Sequence, residues 1–97
     1  MQLATVLGQV VSTVKAAGLE RHTLLLVRDA VDADCEQPGG AVYVAMDLIG
    51  AGTGEVVLVA RGGAARVAAG AEVPADRAVV GIVDSIIHKG NVTYQKA

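Results

Sequence analysis

The sequence predicts a mainly β protein, a small closed barrel of about five or six strands with one short helix. Three observations lead there. Runs rich in Val, Leu, Ile and Thr, each of strand length, follow one another with short connections containing Gly, Pro or Asp. Two of these runs hold an internal glycine, Gly8 and Gly81, which marks the bulge or sharp bend a barrel needs at its corners. Only Gly62 to Gly70, GGAARVAAG, is alanine-rich in a way that suits a helix.

In chain order, Leu3 to Val14 reads as a long first strand around Gly8, and Ala16 to Gly18 as a turn. Thr23 to Val31 is the second strand. Its Leu25 and Val27 alternate with Leu24 and Leu26, so it offers apolar side chains to both faces. Asp32 to Gly40, DADCEQPGG, is a polar loop. Ala41 to Asp47 is the third strand and Glu55 to Arg61 the fourth, with the glycine segment DLIGAGTGE between them. Gly62 to Gly70 makes a helix of about two turns, too short to stand without packing on the body. Val73 to Arg77 is a loop with Pro74, and Ala78 to Ile87 is the fifth strand, through Gly81. HKGN at His88 to Asn91 is a hairpin turn into a short terminal strand, Val92 to Gln95.

Ninety-seven residues make one domain, Met1 to Ala97. The chain is 53% hydrophobic with two Tyr and no Phe or Trp, so the core must be built from Val, Leu, Ile and Ala. A domain this small buries only about 60–65% of the surface its unfolded chain exposes. So much aliphatic surface on so small a body implies that another subunit covers part of it. The apolar stretches Ala41 to Met46 and Val56 to Ala60 fall far short of the roughly 20 residues of a membrane helix. The N-terminus lacks a signal-peptide pattern, so a cytosolic location and no membrane partner are expected. Cys35 is the single cysteine, which excludes an intrachain disulfide framework and zinc spacing.

Glycine at every second position, Gly50, Gly52 and Gly54, strips one face of an extended segment and admits a ligand or another backbone. The spacing is GxGxG and a strand follows. A dinucleotide fingerprint needs GxGxxG opening a helix, and a phosphate loop needs Lys. Close backbone packing, within or between subunits, is therefore the expected role, with a tight intrachain turn as the plain alternative. Asp32, Asp34 and Glu36 alternate without the rest of a calcium loop, so no metal is expected. Asp84 lies within the apolar run GIVDSII without a His or second carboxylate near in sequence, which suits a subunit contact or backbone hydrogen bond. Asp47 and Asp76 sit at strand–loop junctions, where Asp binds local amides. Cys35 with His22 or His88 has no fixed geometry, and Ser12 and Ser85 lack a nucleophile elbow, so no enzyme is expected. Nucleic-acid binding through a small barrel needs stacking aromatics and a basic groove. Here only Tyr43 and Tyr94 could stack, the net charge is −2, and the basic residues are scattered.

Four segments taken together resemble one family. They are GQVVSTVK at Gly8 to Lys15, DLIGAGTGE at Asp47 to Glu55, VLVARGGAAR at Val57 to Arg66, and PADRAVVGIVD at Pro74 to Asp84. Their order and spacing are similar to those of the EutN/CcmL family of vertex proteins from bacterial microcompartments and carboxysomes, from Met1 to about Tyr94. The Asp32 to Gly40 loop is the visible departure. The resemblance implies a homopentamer of small closed β-barrels of the oligonucleotide-binding type, in the bacterial cytoplasm. Such pentamers cap the vertices of a polyhedral shell beside hexagonal shell proteins, and no catalytic residue or cofactor comes with the family. On this basis Gly50, Ala51, Gly52 and Gly54 are expected at a subunit interface or the axial opening. Glu55, Arg66, Asp76 and Asp84 are expected to form ion pairs or backbone caps at the ring interface. Two other readings stay open from the residues alone: a barrel-type binding module for nucleic acid or a small ligand, and a small enzyme using Cys35.

Overall fold

Strand alternation places one face of each barrel strand inward. In the computed structural model, which describes residues 1–12, 22–31, 39–70 (only the backbone at Arg66) and 76–96, the buried members of that inward set are all aliphatic. Ala4 and Val6 come from β1 (Gln2–Val10), Leu25 and Val27 from β2 (Thr23–Asp29), and Ala45 from β3 (Val42–Asp47). Val57 and Val59 come from β4 (Val56–Arg61), and Val79 from β5 (Arg77–Ile82). The five strands close in the order β1-β2-β3-β5-β4, a closed barrel of the oligonucleotide-binding type. Neighbours are antiparallel except β3 and β5, which run parallel and join only through Met46↔Ala78 and Asp47↔Val79. The helix α1 (Gly62–Ala69) connects β4 to β5. Its Ala65 is buried with Ala60 and Ala78, and Leu48 and Val80 pack against them, so the helix covers the outside of β4 and β5.

Both internal glycines sit at register shifts. Val6 pairs with Val27 and Gly8 with Leu26, leaving Leu7 as the extra residue of a bulge. On β5, Gly81 faces Leu58 and Val79 faces Val59, leaving Val80 extra. A Cβ on Gly81 would stand 3.3 Å from Leu58 Cδ1, so the missing side chain makes room for that leucine.

Three expectations need correction. The first strand stops at Val10, not Val14; its last pair is Val10 with Leu24, one residue from the start of β2. The second strand ends at Asp29 rather than Val31, beyond which Ala30 N turns to Leu3 O at 2.9 Å. The expected strand Ala78 to Ile87 is two strands. β5 ends at Ile82 opposite Val57, where β4 has one residue left, and the chain leaves the barrel through Val83 and Asp84. It then forms β6 (Ser85–His88) and β7 (Asn91–Gln95), a hairpin forming its own two-stranded sheet. Its turn has φ of 53° at Lys89 and 79° at Gly90, the paired left-handed residues of a type I′ hairpin. The turn expected at Ala16 to Gly18, most of the loop Asp32 to Gly40, and Val73 to Ala75 of the Pro74 loop lie outside the described residues.

Candidate functional site

The glycine loop folds around a carboxylate of its own chain. Asp47 closes β3, and its Oδ1 accepts hydrogen bonds from Ile49 N (3.1 Å) and Gly50 N (3.0 Å). Its Oδ2 accepts a third from Ala51 N at 3.0 Å. A run of backbone amides of this kind is an anion-binding concavity, and here the protein's own anion fills it. Glu55 Oε1 accepts from Gly52 N, while Gly54 N donates to Val6 O at 2.8 Å and Val6 N to Glu55 O at 2.9 Å. The loop is thereby stitched to β1, and four of its amides are taken by two side-chain carboxylates.

The three glycines are glycine for different reasons. Gly50 (φ 84°) and Gly54 (φ 89°) occupy the left-handed region, so the turn itself requires them. Gly52 does not have a left-handed φ. A Cβ there would meet only Glu55 Oε1, at 3.3 Å, the movable end of a side chain. Gly50, Gly52, Thr53 and Gly54 are exposed, whereas Ala51 is partly buried against the barrel core and anchors the loop.

Glu55 also joins the loop to the C-terminal strand. Its Oε2 lies 2.9 Å from Lys96 Nζ, and Lys96 N donates to Asp84 O at 2.7 Å. The Gly52 amide, then Lys96, hold the Glu55 carboxyl below its ordinary range, and Glu55 raises Lys96 in turn. Both side chains reach water, so the pair positions more than it stabilises. The lowered Glu55 value means its contribution is present above the ordinary carboxylate pKa and is lost as pH falls through the folded value. The raised Lys96 contributes below its ordinary pKa and loses that contribution as pH rises through the folded value. We expect the Lys96 amide to exchange faster, after correction for intrinsic rates, as pH drops below the carboxylate range. Glu55→Gln should show that fast exchange already at neutral pH, and equal protection in the two proteins would refute the link.

The other expected residues are distributed. Asp84 is exposed at the break between β5 and β6, not inside a strand, and contributes its carbonyl to Lys96. Glu55 and Asp84 thus meet at the loop through Lys96. Asp76 is elsewhere: its carbonyl accepts from Gly62 N at 2.9 Å, and its exposed carboxylate lies 3.4 Å from Arg77 Nη1. The side chain of Arg66 and all of Cys35 lie outside the described residues.

The sequence reading passed over a second polar group. Tyr43 Oη donates to Asp29 Oδ1 at 2.6 Å, and Gln2 Nε2 donates to Asp29 Oδ2 at 3.2 Å. The Arg77 guanidinium stands 5.4 Å from the Tyr43 ring centre. Burial, then the Asp29 carboxylate, push the Tyr43 phenol well above its ordinary pKa. Tyr43 is therefore already engaged on its face and at its hydroxyl, which leaves it poorly placed as a stacking platform. Gln2, Asp29 and Tyr43 are far apart in sequence, and only the register of β1, β2 and β3 gathers them. Among the described residues no group of three or more His, Cys, Asp or Glu could hold a metal ion. No helix among them is long and apolar enough to cross a membrane.

A family model described as ethanolamine utilisation protein EutN/carboxysome matches residues 1–84. The bacterial microcompartment shell vertex protein EutN of Salmonella typhimurium is 46% identical over 97 residues, covering 99% of this chain and 96% of that protein. Among solved structures, the carboxysome subunit CcmL superposes with a TM-score of 0.90 at 46% identity, with both chains fully covered. The GrpN pentameric microcompartment shell protein of Rhodospirillum rubrum superposes with a TM-score of 0.80 at 40% identity, covering 91% of this chain and 99% of that one.

Proposed function

This chain belongs to the EutN/CcmL family, and from that premise we propose that it is a structural vertex protein of a bacterial microcompartment shell, acting as a homopentamer. The observation that supports this most is similarity over nearly the whole chain to shell vertex proteins, together with the pentameric GrpN. The geometry agrees. The one feature that resembled a ligand loop has its amides filled by Asp47 and Glu55, so it is built to hold a shape rather than to bind an anion. Its task is mechanical and needs no reaction chemistry of its own.

A hexagonal lattice stays flat until five-fold units are inserted, and the pentamer supplies that unit beside hexagonal shell proteins in the bacterial cytoplasm. Co-expression with a hexagonal shell protein should give closed polyhedra with the chain at the corners. Open sheets or tubes that exclude it would oppose the reading.

Within the ring, Gly50 to Gly54 face a neighbour or the axial opening, with Glu55 and Asp84 beside them and Arg66 and Asp76 as further charged contacts. Gly52 bears the sharpest test, because within its own chain an added Cβ would meet only the movable carboxylate of Glu55. Gly52→Val should fold with an unchanged circular-dichroism spectrum yet lose the five-chain species in native mass spectrometry. Intact pentamers from this variant would remove the loop from the interface.

A further inference from the structure

Each barrel strand contributes one residue to a polar rim at the mouth of the barrel. Gln2, Asp29, Tyr43, Arg77 and Arg61 follow one another in the order in which β1, β2, β3, β5 and β4 close. Each lies two residues along its strand from a buried core residue, as Arg61 does from Val59 and Arg77 from Val79, and so takes the same inward face. The contacts run around the rim. Gln2 and Tyr43 each donate to one oxygen of Asp29, and Arg77 lies over the Tyr43 ring. Arg61 is directly opposed to Arg77 across β4 and β5, and the Tyr43 phenol senses the charge of both guanidiniums.

The charges of this rim do not balance. It holds two guanidiniums and one carboxylate, and both oxygens of that carboxylate are occupied by the neutral donors of Gln2 and Tyr43. Like charges directly opposed across two strands are destabilising. Asp76 offsets this only in part. Its Oδ2 stands 3.4 Å from Arg77 Nη1 on a side chain that is 85% exposed, and so open a pair contributes little. Among the described residues Arg61 forms no ion pair. Uncompensated positive charge is therefore concentrated on the β4–β5 side of the rim, and the side chain of Arg61 is exposed there.

We propose that Arg61 and Arg77 form a binding site for a small free oxyanion of the phosphate class, held between the two guanidiniums at the barrel mouth. The planar fork of arginine presents paired N–H donors to two oxygens of one anion, and such charge-assisted contacts are stronger than neutral ones. Arg77 is already oriented for this. Its Nη1 donates to Asp76 O at 3.1 Å, and the Tyr43 ring supports its guanidinium from one side. Tyr43 is in turn fixed by Asp29, so the residues on β2 and β3 position the binding residue on β5 without touching the anion. Arg61, exposed and unpaired, closes on the anion from β4. This site is separate from the glycine loop, whose amides are filled by Asp47 and Glu55, and it does not rest on the pentamer reading.

The test is a titration of the nitrogen-15-labelled full chain with inorganic phosphate near neutral pH, at constant ionic strength made up with chloride. The arginine Nε–Hε signals of Arg61 and Arg77 should shift together and saturate, with a dissociation constant on the order of 1 mM. Arg28, on the barrel but outside the rim, should show no saturable shift. Arg61→Gln should weaken binding about tenfold or more. Arg61→Lys keeps the charge but not the fork and should weaken it by about as much. Both changes fall at an exposed position, so thermal unfolding without phosphate should match the parent, separating loss of the site from loss of the fold. Shifts that stay linear in phosphate, or that are equal at Arg28, would reduce the effect to screening and overturn the proposal. Parent-like affinity in Arg61→Gln or in Arg61→Lys would overturn it as well.

Discussion

Replacing Gly40 by alanine should destabilise the protein by about 3 kcal/mol or more, because overpacking against rigid neighbours costs about 1–3 kcal/mol and sometimes more. A Cβ at this position would collide with the Asp29 carbonyl oxygen and lie 2.8 Å from its carbon. Both are backbone atoms at the end of β2, where Asp29 N is also hydrogen-bonded to Ala41 O at 2.9 Å. No rotamer relieves such a clash, and opening the approach would pull Ala41 away from β2 and disturb the entry to β3. The same region positions Asp29 for Tyr43 and Gln2. Urea unfolding at a fixed protomer concentration measures the effect, since stability here is linked to assembly. Gly63→Ala is the control: its Cβ meets nothing on the exposed side of the helix, and the change should not lower the midpoint. Equal midpoints for Gly40→Ala and the parent would contradict the close approach.

Asp47→Ala should have the second-largest effect, through the glycine loop rather than the core. The substitution removes acceptors for Ile49, Gly50 and Ala51 together. Hydrogen bonds to a charged acceptor contribute about 1.5–3 kcal/mol each when protected. Water replaces part of that at this half-exposed site, so the expected loss is about 2 kcal/mol. Loosening should concentrate between Leu48 and Glu55 and be visible as faster amide exchange there. Asp47→Asn keeps one oxygen acceptor and should recover part of the protection. The vacated amides of Asp47→Ala form a free anion site, so sulfate should slow exchange in this loop more than in the parent. Unchanged exchange in Asp47→Ala would mean that the glycines, not the carboxylate, hold the loop.

Period-two apolar patterning and strand glycines were enough to read a small barrel, because an aliphatic core without aromatics leaves each strand's inward set visible. The bulges at Gly8 and Gly81 and the I′ turn at Lys89–Gly90 were legible for the same local reason. The break at Val83 and Asp84 was not, since the run GIVDSII carries apolar residues on both sides of Asp84 and only the pairing with β4 shows that the strand ends at Ile82. The glycine segment was recognised as the key loop, but its internal logic needed the fold. Two of its glycines answer to backbone φ, and the extreme close approach belongs to Gly40, which looked like an ordinary loop residue. Glu55, expected at the ring interface, also has an intrachain partner that the sequence did not show, Lys96, 41 positions away and brought near by the hairpin. The outward Leu24 and Leu26 were visible as a second apolar face from the start. That surplus motivates the ring.

The ring itself is open to one direct measurement. Sedimentation velocity of the intact chain at micromolar concentration should give a single species with the mass of five 9.8 kDa subunits. A stable, well-folded species of one chain under those conditions would contradict the account, because aliphatic surface left uncovered by the barrel would then have no need of a partner.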